Sequence, residues 1–275
     1  MNHPFLCFDH IEKAGGITLH NLFHRLYFGY VSPHPDKRFG DPWTARHIAL
    51  LQQLLPFKMT AIGGHRMRAF MNYESVIKEP IFYFTVMRDP VARYMSHLNW
   101  QKNLMKMNWT IESFTAEKYN DNWQAYRIAG ERNLDKAKEI MVKKFGLIGM
   151  IEKYDETMVL LKAAMGDFRA DYRYQEANIK NYRDQLIRFD DLTAEMQEKV
   201  IANNAIDIAL YRFLKEELYP LYVSRYKGDF TSDVEVFKKE NENYHYPTWA
   251  LLKRKVSNVL LSKVLQPRML KIMPA

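Results

Sequence analysis

Short apolar runs alternate with amphipathic stretches along the first half of the chain. Each run is rich in aromatic or β-branched residues, which is typical of strands buried on both faces. The strands that these runs predict are 5–10, 58–62, 81–87 and 147–151. Apolar residues at helical spacing predict helices at 18–27, 43–55 and 90–103. Strands that alternate with helices predict an α/β fold, in which helices flank a central parallel sheet.

The second half of the chain is mostly helical in its spacing, with predicted helices at 154–165, 194–203 and 206–226. The final stretch, 245–275, has no acidic residue, and its basic residues are Lys253, Arg254, Lys255, Lys263, Arg268 and Lys271. Its apolar side would consist of Trp249, Leu251, Leu252, Val256, Val259, Leu260 and Val264. We therefore predict one domain at 1–230 and a basic helical extension at 231–275, which either packs on the domain or contacts a membrane peripherally.

The composition narrows the possible classes of protein but does not identify one. The 275 residues carry a formal net charge of +8, which suits anionic partners such as nucleic acid, anionic lipid, an acidic polysaccharide or a phosphate-rich cofactor. Cys7 is the sole cysteine, so no intramolecular disulfide can form. No stretch approaches the ~18–20 apolar residues of a membrane span. We expect a soluble cytoplasmic protein, although a chain separated from an anchor would have the same composition.

The first segment with candidate chemistry, 8–19, joins a predicted strand to a predicted helix through adjacent glycines. Gly15 and Gly16 allow a sharp turn and a close approach to a ligand, and the helix N-terminus offers unpaired N–H groups. Lys13 adds a cation and Thr18 a hydroxyl. The segment therefore predicts a P-loop-like phosphate cradle, although a plain strand-to-helix turn with an exposed lysine has the same spacing.

The second segment, 88–97, begins where the clearest strand ends. Asp89 suits a helix N-cap and Pro90 the first helical turn, so Ser96 would lie on the second turn. Arg88 would lie at the sheet rim, where open α/β sheets bind ligands, and its guanidinium can pair with two phosphate oxygens. A structural Arg–Asp pair beside a capped helix would give the same pattern.

Together the two segments resemble the PAPS-dependent sulfotransferases (PAPS is 3′-phosphoadenosine 5′-phosphosulfate). Residues 8–19 are similar to their 5′-phosphosulfate-binding loop, in the form found in the carbohydrate branch related to heparan sulfate 2-O-sulfotransferases. Residues 88–97 are similar to their 3′-phosphate-binding element, Arg-Asp-Pro-x-x-Arg-x-x-Ser-His. Weaker similarities, which extend coverage to about 5–226, lie at 122–130, 147–157, Asn178 and 207–211.

The first segment also departs from the family pattern. Glu12 stands in place of a proline, Ala14 in place of a threonine or serine, and Ile17 in place of the first threonine after the glycines. A hydroxyl that could contact phosphate is therefore lost at Ala14. A carboxylate at Glu12 is unexpected beside an anion, and it would either point away, pair with Lys13 or weaken cofactor binding.

The resemblance implies roles for particular residues. Lys13 would be catalytic, because it would neutralise the bridging oxygen as the product, 3′-phosphoadenosine 5′-phosphate (PAP), departs. Arg88 and Ser96 would hold the 3′-phosphate, and no metal would be required. The 5′-phosphate would be held by the loop and the first helical turn, which comprise Lys13, Ala14, Gly15, Gly16, Ile17 and Thr18.

A base must also take the proton of the acceptor hydroxyl, and His65 is the best candidate. It follows a predicted strand and two glycines, and a Gly-His here resembles the catalytic histidine segment of heparan sulfate 2-O-sulfotransferases. Imidazole suits base catalysis near neutral pH, although a structural histidine could occupy the same place. Lesser candidates are His10, Glu12 and Glu152, and we expect His97 on the helix surface or behind the site.

The acceptor is less well determined, and we expect a carbohydrate hydroxyl rather than nucleic acid. Trp100, Trp109 and Trp123 could stack on sugar rings, although most aromatic residues belong to cores. Two other functions remain open. A P-loop nucleotide kinase shares the strand–loop–helix start but would need its lysine after the glycines. A degenerate sulfotransferase fold could bind an anionic glycan or a membrane without catalysis.

Overall fold

The computed structural model describes residues 3–33, 41–177 and 186–273. Asn178, which carries one of the weaker similarities, lies outside these ranges. Five parallel strands form one sheet in the order β2-β3-β1-β4-β5. The strands are β1 (Phe5–Asp9), β2 (Tyr30–Val31), β3 (Ala61–Gly64), β4 (Ile81–Met87) and β5 (Phe145–Met150). The predicted fold class, an α/β domain with a central parallel sheet flanked by helices, is confirmed.

Helices follow the strands and make up most of the second half. The first seven are α1 (Gly16–Leu26), α2 (Ala45–Leu54), α3 (Pro90–Asn103), α4 (Ile111–Ala116), α5 (Trp123–Ala129), α6 (Leu134–Lys144) and α7 (Tyr154–Ala164). The others are α8 (Ala194–Asn203), α9 (Ala205–Phe213), α10 (Tyr219–Ser224), α11 (Phe230–Asn241), α12 (Thr248–Val259) and α13 (Gln266–Ile272). π-helical segments, Leu214–Leu218 and Leu260–Leu265, join α9 to α10 and α12 to α13.

β1 is the central strand of the sheet, and its alternate residues belong to two separate cores, one on each face. Phe5 and Cys7 belong to a core with residues of α2, α5, α6 and α13. Leu6 and Phe8 belong to a second core with residues of α1 and α7. Within the described ranges, no helix combines the length and the apolar composition that a bilayer-crossing segment requires.

The structure corrects several predicted boundaries. The second predicted strand, 58–62, is β3 at Ala61–Gly64, so both glycines lie inside the strand. A Cβ at Gly63 would lie only 2.4 Å from Tyr30 Oη, so glycine is required there for close packing. α1 begins two residues before the predicted 18–27, and the predicted helix 206–226 is α9, a π-helical segment and α10.

The basic tail is helical, as predicted, but it buries different residues from the predicted ones. α12 packs on α1, and α13 packs on α2. The tail contributes Leu261, Leu265 and Met269 to the first core. By contrast, Trp249 and Leu252 of the predicted apolar side are 55% and 60% exposed. The buried residue of α12 is the small Ala250, so α12 contacts α1 through a side that its larger apolar residues do not share.

Candidate functional site

The ends of three neighbouring strands place the candidate residues at one edge of the sheet. β1 lies between β3 and β4, so the strand order reverses at its carboxyl end. The loop 10–15 follows β1, His65 follows β3, and Arg88 follows β4. Open α/β sheets bind their ligands in the crevice at such a reversal. The fold therefore brings together segments that lie far apart in the sequence.

The loop after β1 turns into α1 with a strained backbone. Lys13 has a φ angle of 69° and Gly15 one of 76°, both in the left-handed region that glycine adopts most easily. α1 has no side-chain cap and no acidic residue in its first turn, so its N–H groups remain available to an anion. A Cβ on Gly16 would lie 1.8 Å from His10 Nε2, so this position requires glycine.

Both predicted segments line one cavity of about 380 Å³, which we call the first cavity. Its polar wall consists of His10, Glu12, Lys13, Gly15, Gly16, Thr18, His65, Arg88, Ser96 and His97, and its apolar wall includes Ile17, Trp100 and Ile151. The Gln124 side chain accepts from Arg88 N at 3.0 Å and donates to Arg88 O at 2.9 Å, which fixes the backbone of that residue. As predicted, Asp89 caps α3 by accepting from Ala92 N at 2.9 Å.

One side of the first cavity carries the cations Lys13 and Arg88, and the buried Arg93, which does not line the wall, lies close enough to lower the pKa of Lys13. Among the described residues, Lys13, Arg88 and Arg93 form no ion pair. Burial, together with the charges of Arg88 and Arg93, lowers the pKa of Lys13 to about 8. Burial likewise lowers the pKa of the Arg88 guanidinium. An anion in the cavity would compensate this excess of positive charge.

Arg93 also contributes positive charge, although the sequence analysis did not predict it as a site residue. It lies within the second segment. Its side chain is fully buried, and none of its three guanidinium nitrogens has a hydrogen-bond partner in the described part of the chain. A buried guanidinium without partners is costly unless an opposite charge is close. Its charge lowers the pKa of Lys13, and also that of His97. Arg93 therefore adds to the positive potential at the first cavity.

The other side of the first cavity carries a paired histidine. His65 Nδ1 lies 3.1 Å from Glu12 Oε1. The second oxygen of Glu12 accepts from Trp123 Nε1 at 2.7 Å and lies 3.6 Å from Arg127 Nε. Burial opposes ionisation of Glu12, but the charge of His65 and the hydrogen bonds from His65 and Trp123 lower the pKa of Glu12 to about 2. Glu12 therefore pairs with His65 and Trp123 on the cavity wall, so the expected pairing with Lys13 is wrong.

Glu12 also affects the pKa and the tautomer of His65. Burial lowers the pKa of His65, but the charge and hydrogen bond of Glu12 outweigh it and leave the pKa raised above its ordinary value. Because Nδ1 faces Glu12 and also lies 3.2 Å from His10 O, the neutral ring carries its proton on Nδ1. Nε2 is then the basic nitrogen, as a general base requires.

The neighbouring histidines are less suited to take a proton. His10 stacks on His65 with ring centroids 3.9 Å apart, and its Nδ1 lies 3.1 Å from His20 Nε2. Burial, reinforced by the charge of His65, lowers the pKa of His10 well below its ordinary value. His97 is buried and lines the first cavity, so the expectation of a helix-surface position is wrong. Burial and Arg93 lower the pKa of His97 to about 3.

Other predicted residues lie outside the cavity wall. The side chain of Ala14 is buried in the first core. Glu152 accepts from Asp89 N at 2.8 Å and from Tyr211 Oη at 2.5 Å, so it stabilises the start of α3. Of the three tryptophans, Trp100 lines the first cavity, and its ring lies 5.8 Å from Lys13 Nζ. Trp123 is held by Glu12 and Trp109 packs beside Phe114, so neither forms part of the wall.

The ion pairs beneath His65 extend into the protein. Arg127 Nη2 donates to His10 O at 3.0 Å and lies 3.4 Å from Asp9 Oδ1. Arg68 donates to His65 O at 2.7 Å and to Asp41 Oδ1 at 2.8 Å. Two buried guanidinium groups thus hold the backbone on either side of the His10–His65 stack. Among the described residues, no group of three or more histidine, cysteine or acidic side chains is arranged to hold a metal ion.

Comparison with known proteins yields few matches. No protein-family model matches the chain, and no curated protein matches it significantly. Among solved structures, the chain is similar to a sulfotransferase from Alicyclobacillus acidocaldarius, with a TM-score of 0.47 and 14% sequence identity. The matched region covers 80% of this chain and 99% of that chain. The functional assignment therefore depends on the residues of the cavity.

Proposed function

We propose that this chain is a PAPS-dependent sulfotransferase whose acceptor is a hydroxyl group on a carbohydrate. The main support for the proposal is that one cavity combines cations that form no ion pair with a described residue and a histidine that is paired with a carboxylate. Two cations of the wall, Lys13 and Arg88, together with the nearby buried Arg93 and an uncapped helix N-terminus, favour a ligand with several negative charges. His65, paired with Glu12, provides a base within the same wall.

The cationic side fits a donor that carries phosphate at two positions. The first turn of α1 and the hydroxyl of Thr18 would hold the 5′-phosphate, and Thr18 Oγ1 already accepts from Ala177 N at 3.1 Å. Arg88 and Ser96 would hold the 3′-phosphate from the α3 side. Because Arg88 donates to Lys13 O at 3.2 Å, the two phosphate-binding segments are directly connected. The unpartnered guanidinium of Arg93 supports the same assignment.

Lys13 and His65 would act on opposite sides of the transferred group. PAPS supplies the sulfuryl group, whose S–O bond to the phosphate breaks as a new S–O bond to the acceptor oxygen forms. Lys13 would stabilise negative charge as it develops on the bridging oxygen. His65 Nε2 would take the hydroxyl proton, and Glu12 would stabilise the resulting imidazolium. The products are a sulfate ester, PAP and one proton.

The structure bears on both alternative functions. A nucleotide kinase of the P-loop type places its lysine after the glycines, whereas Lys13 precedes them in a left-handed conformation. The features that favour a degenerate, non-catalytic protein are Glu12, Ala14 and the basic tail. Since Glu12 faces His65 and Trp123, it supports a base instead of opposing the anion.

A transfer assay tests the proposed function. The protein would be incubated with ³⁵S-labelled PAPS and a panel of glycan, phenol and alkyl alcohol acceptors in the presence of EDTA. We expect labelled sulfate ester with a glycan acceptor and no requirement for Mg²⁺. Absence of transfer to every acceptor class would support the non-catalytic alternative if PAP still bound. Phosphoryl transfer from Mg²⁺-ATP would instead support the kinase.

A further inference from the structure

One side of α12 presents large apolar residues on the protein surface. Trp249, Leu252, Val256 and Val259 are each more than half exposed, and they are spaced three or four residues apart. Such spacing places side chains on one side of a helix. At about 100° per residue, the four lie within an arc of about 80° and extend about 15 Å along the helix axis. We call these four side chains the apolar stripe.

The contacts of α12 with the domain come from its opposite side. Ala250 is the buried residue of α12, and Arg254 donates to Asn21 Oδ1 on α1. Around the helix axis, Ala250 and Arg254 lie about 140° and about 180° from the centre of the apolar stripe. In the part of the chain that the structure describes, no residue of the stripe belongs to a hydrophobic core. The stripe is therefore not needed to hold α12 on the domain.

Phe28 enlarges the apolar surface beside α12. It is 80% exposed, and its ring lies 5.5 Å from Lys253 Nζ, which donates to Tyr27 O at 3.1 Å. A single exposed apolar side chain is ordinary, but several on one surface mark a place that another molecule covers.

Positive charge borders this surface. Around the helix axis, Lys253 and Lys255 lie on either side of the apolar stripe, each about 40° from its nearest member. Residues 245–275 include six lysines and arginines and no acidic residue. The exposed ones are Lys255, Lys263, Arg268 and Lys271. None of these four forms an ion pair with a described residue. The surface therefore fits a partner that is both apolar and negatively charged.

We propose that α12 lies on the surface of a membrane that contains anionic lipid, with the apolar stripe inserted beneath the headgroups. The inference is independent of the proposed transfer activity. Insertion would remove the stripe from water, while the bordering lysines would reach the lipid phosphates. Since α12 packs on α1, it would lie along the membrane surface. A second copy of this chain would bring the same positive charge, so the charges favour anionic lipid over self-association.

Co-sedimentation of the full chain with lipid vesicles tests this inference. Vesicles of phosphatidylcholine alone would be compared with vesicles of phosphatidylcholine and phosphatidylglycerol in equal amounts. We expect about tenfold or more tighter binding to the vesicles that contain phosphatidylglycerol, because each lysine near an anionic surface adds to the attraction. This preference should weaken at high salt, which screens the charges. Equal binding to the two kinds of vesicle, or binding to neither, would overturn the proposal.

Two double variants compare the apolar stripe with exposed apolar residues elsewhere. Leu252→Gln combined with Val256→Gln should weaken binding to phosphatidylglycerol vesicles about tenfold or more, because less apolar area can be buried. Val142→Gln combined with Val236→Gln removes two exposed valines from α6 and α11 and should bind as the wild type does. All four positions are exposed, so both proteins should keep the wild-type melting profile. Wild-type binding by the first variant would also overturn the proposal.

Fluorescence and light scattering distinguish insertion from other ways of covering the stripe. Phosphatidylglycerol vesicles with brominated acyl chains should quench the fluorescence of the wild type more than that of Trp249→Phe, because Trp249 would lie among the acyl chains. Equal quenching of the two proteins would contradict insertion. Light scattering without lipid should show the same mass for the wild type and for Leu252→Gln combined with Val256→Gln. A wild-type dimer that this double variant dissociates would assign the stripe to self-association instead.

Discussion

The two sides of the first cavity differ in how their charges are compensated. On the α1–α3 side, Lys13, Arg88 and Arg93 have no ion-pair partner among the described residues. On the β3 side, His65 pairs with Glu12, which also lies within 3.6 Å of Arg127. Cations without ion-pair partners are expected where a ligand brings the opposite charge, whereas a paired imidazole is expected where a proton must be moved. On this contrast we base the proposal that the donor binds on one side and that a proton is transferred on the other.

This contrast also explains why similar residue types behave differently. Burial is the main reason that the pKa values of Lys13, His10 and His97 are lowered, and nearby cations or protonated histidines lower them further. The charge of Glu12 raises the pKa of His10 and His97, but by less than burial lowers it. His65 is also buried, yet its pKa is raised, because Glu12 outweighs the cost of burial. The carboxylate of Glu12, which is hydrogen-bonded to His65, is therefore the reason that the pKa of His65 differs from those of its neighbours. Substitution of His65 or Lys13 should accordingly lower mainly the transfer rate, whereas substitution of Arg88 should lower mainly the affinity for PAP.

The largest effect is expected on the paired side, from His65→Ala. Without the proposed base the protein should lose about 10²–10⁴-fold in transfer rate, while PAP affinity stays near the wild-type value. Single-turnover kinetics and calorimetry would measure the two quantities, and His245→Ala, at an exposed position, is the control. If a folded His65→Ala protein kept normal turnover, the base would have to be another residue, and the donor site would be unaffected.

On the cationic side, Lys13→Ala should lower the transfer rate by about 10²-fold or more and weaken PAP binding much less. Negative charge on the leaving oxygen develops only in the transition state. Loss of the cation that stabilises this charge should therefore lower the rate constant of transfer. Lys199→Ala removes an exposed lysine from α8 and serves as the control. Turnover near the wild-type rate in Lys13→Ala would be incompatible with the assigned role.

A different outcome is expected for the other cationic residue, because Arg88 should act mainly on affinity. Arg88→Ala should weaken PAP binding by about 10–100-fold, since hydrogen bonds between charged groups contribute about 1.5–3 kcal/mol each. Calorimetric titration of the variant and of the exposed control Arg212→Ala would measure it. Unchanged PAP affinity in a folded Arg88→Ala protein would contradict the 3′-phosphate assignment.

The smallest effect concerns the pairing itself. Wild-type activity should rise with pH as His65 loses its proton, at a pH above the ordinary imidazole value because Glu12 raises the pKa. Glu12→Gln removes that carboxylate, and burial should then dominate, so the acidic limb of the pH–rate profile should move to lower pH. Glu195→Gln, on the exposed start of α8, should leave the limb in place. An identical limb in Glu12→Gln would show that the pair does not control the base.

The sequence predicted some elements better than others for physical reasons. β4 and α3 lie as predicted, because a continuous apolar run ends abruptly at Arg88-Asp89-Pro90. β2 was missed because two residues carry no periodicity, and β3 was displaced because its glycines have no side chains to show a pattern.

The site was predictable only where its residues are close in sequence. The cradle and the Arg88–Ser96 segment are local, and the structure places both on the first cavity. The pairing of Glu12 with His65 and the contact of Arg254 with Asn21 join segments that are distant in the chain. Neither has a local signal, because the first follows from the order of β1 and β3 and the second from the docking of α12 on α1.

The central claim is that the cationic side of the first cavity binds a nucleotide with phosphate at both the 3′ and 5′ positions. Its most direct test is calorimetric titration of the wild-type protein with PAP and, separately, with adenosine 5′-phosphate in the presence of EDTA. We predict micromolar or tighter binding of PAP, and weaker binding of adenosine 5′-phosphate because Arg88 and Ser96 would have no phosphate to hold. Absence of heat and of a thermal shift with saturating PAP, or equal affinity for the two nucleotides, would contradict the claim.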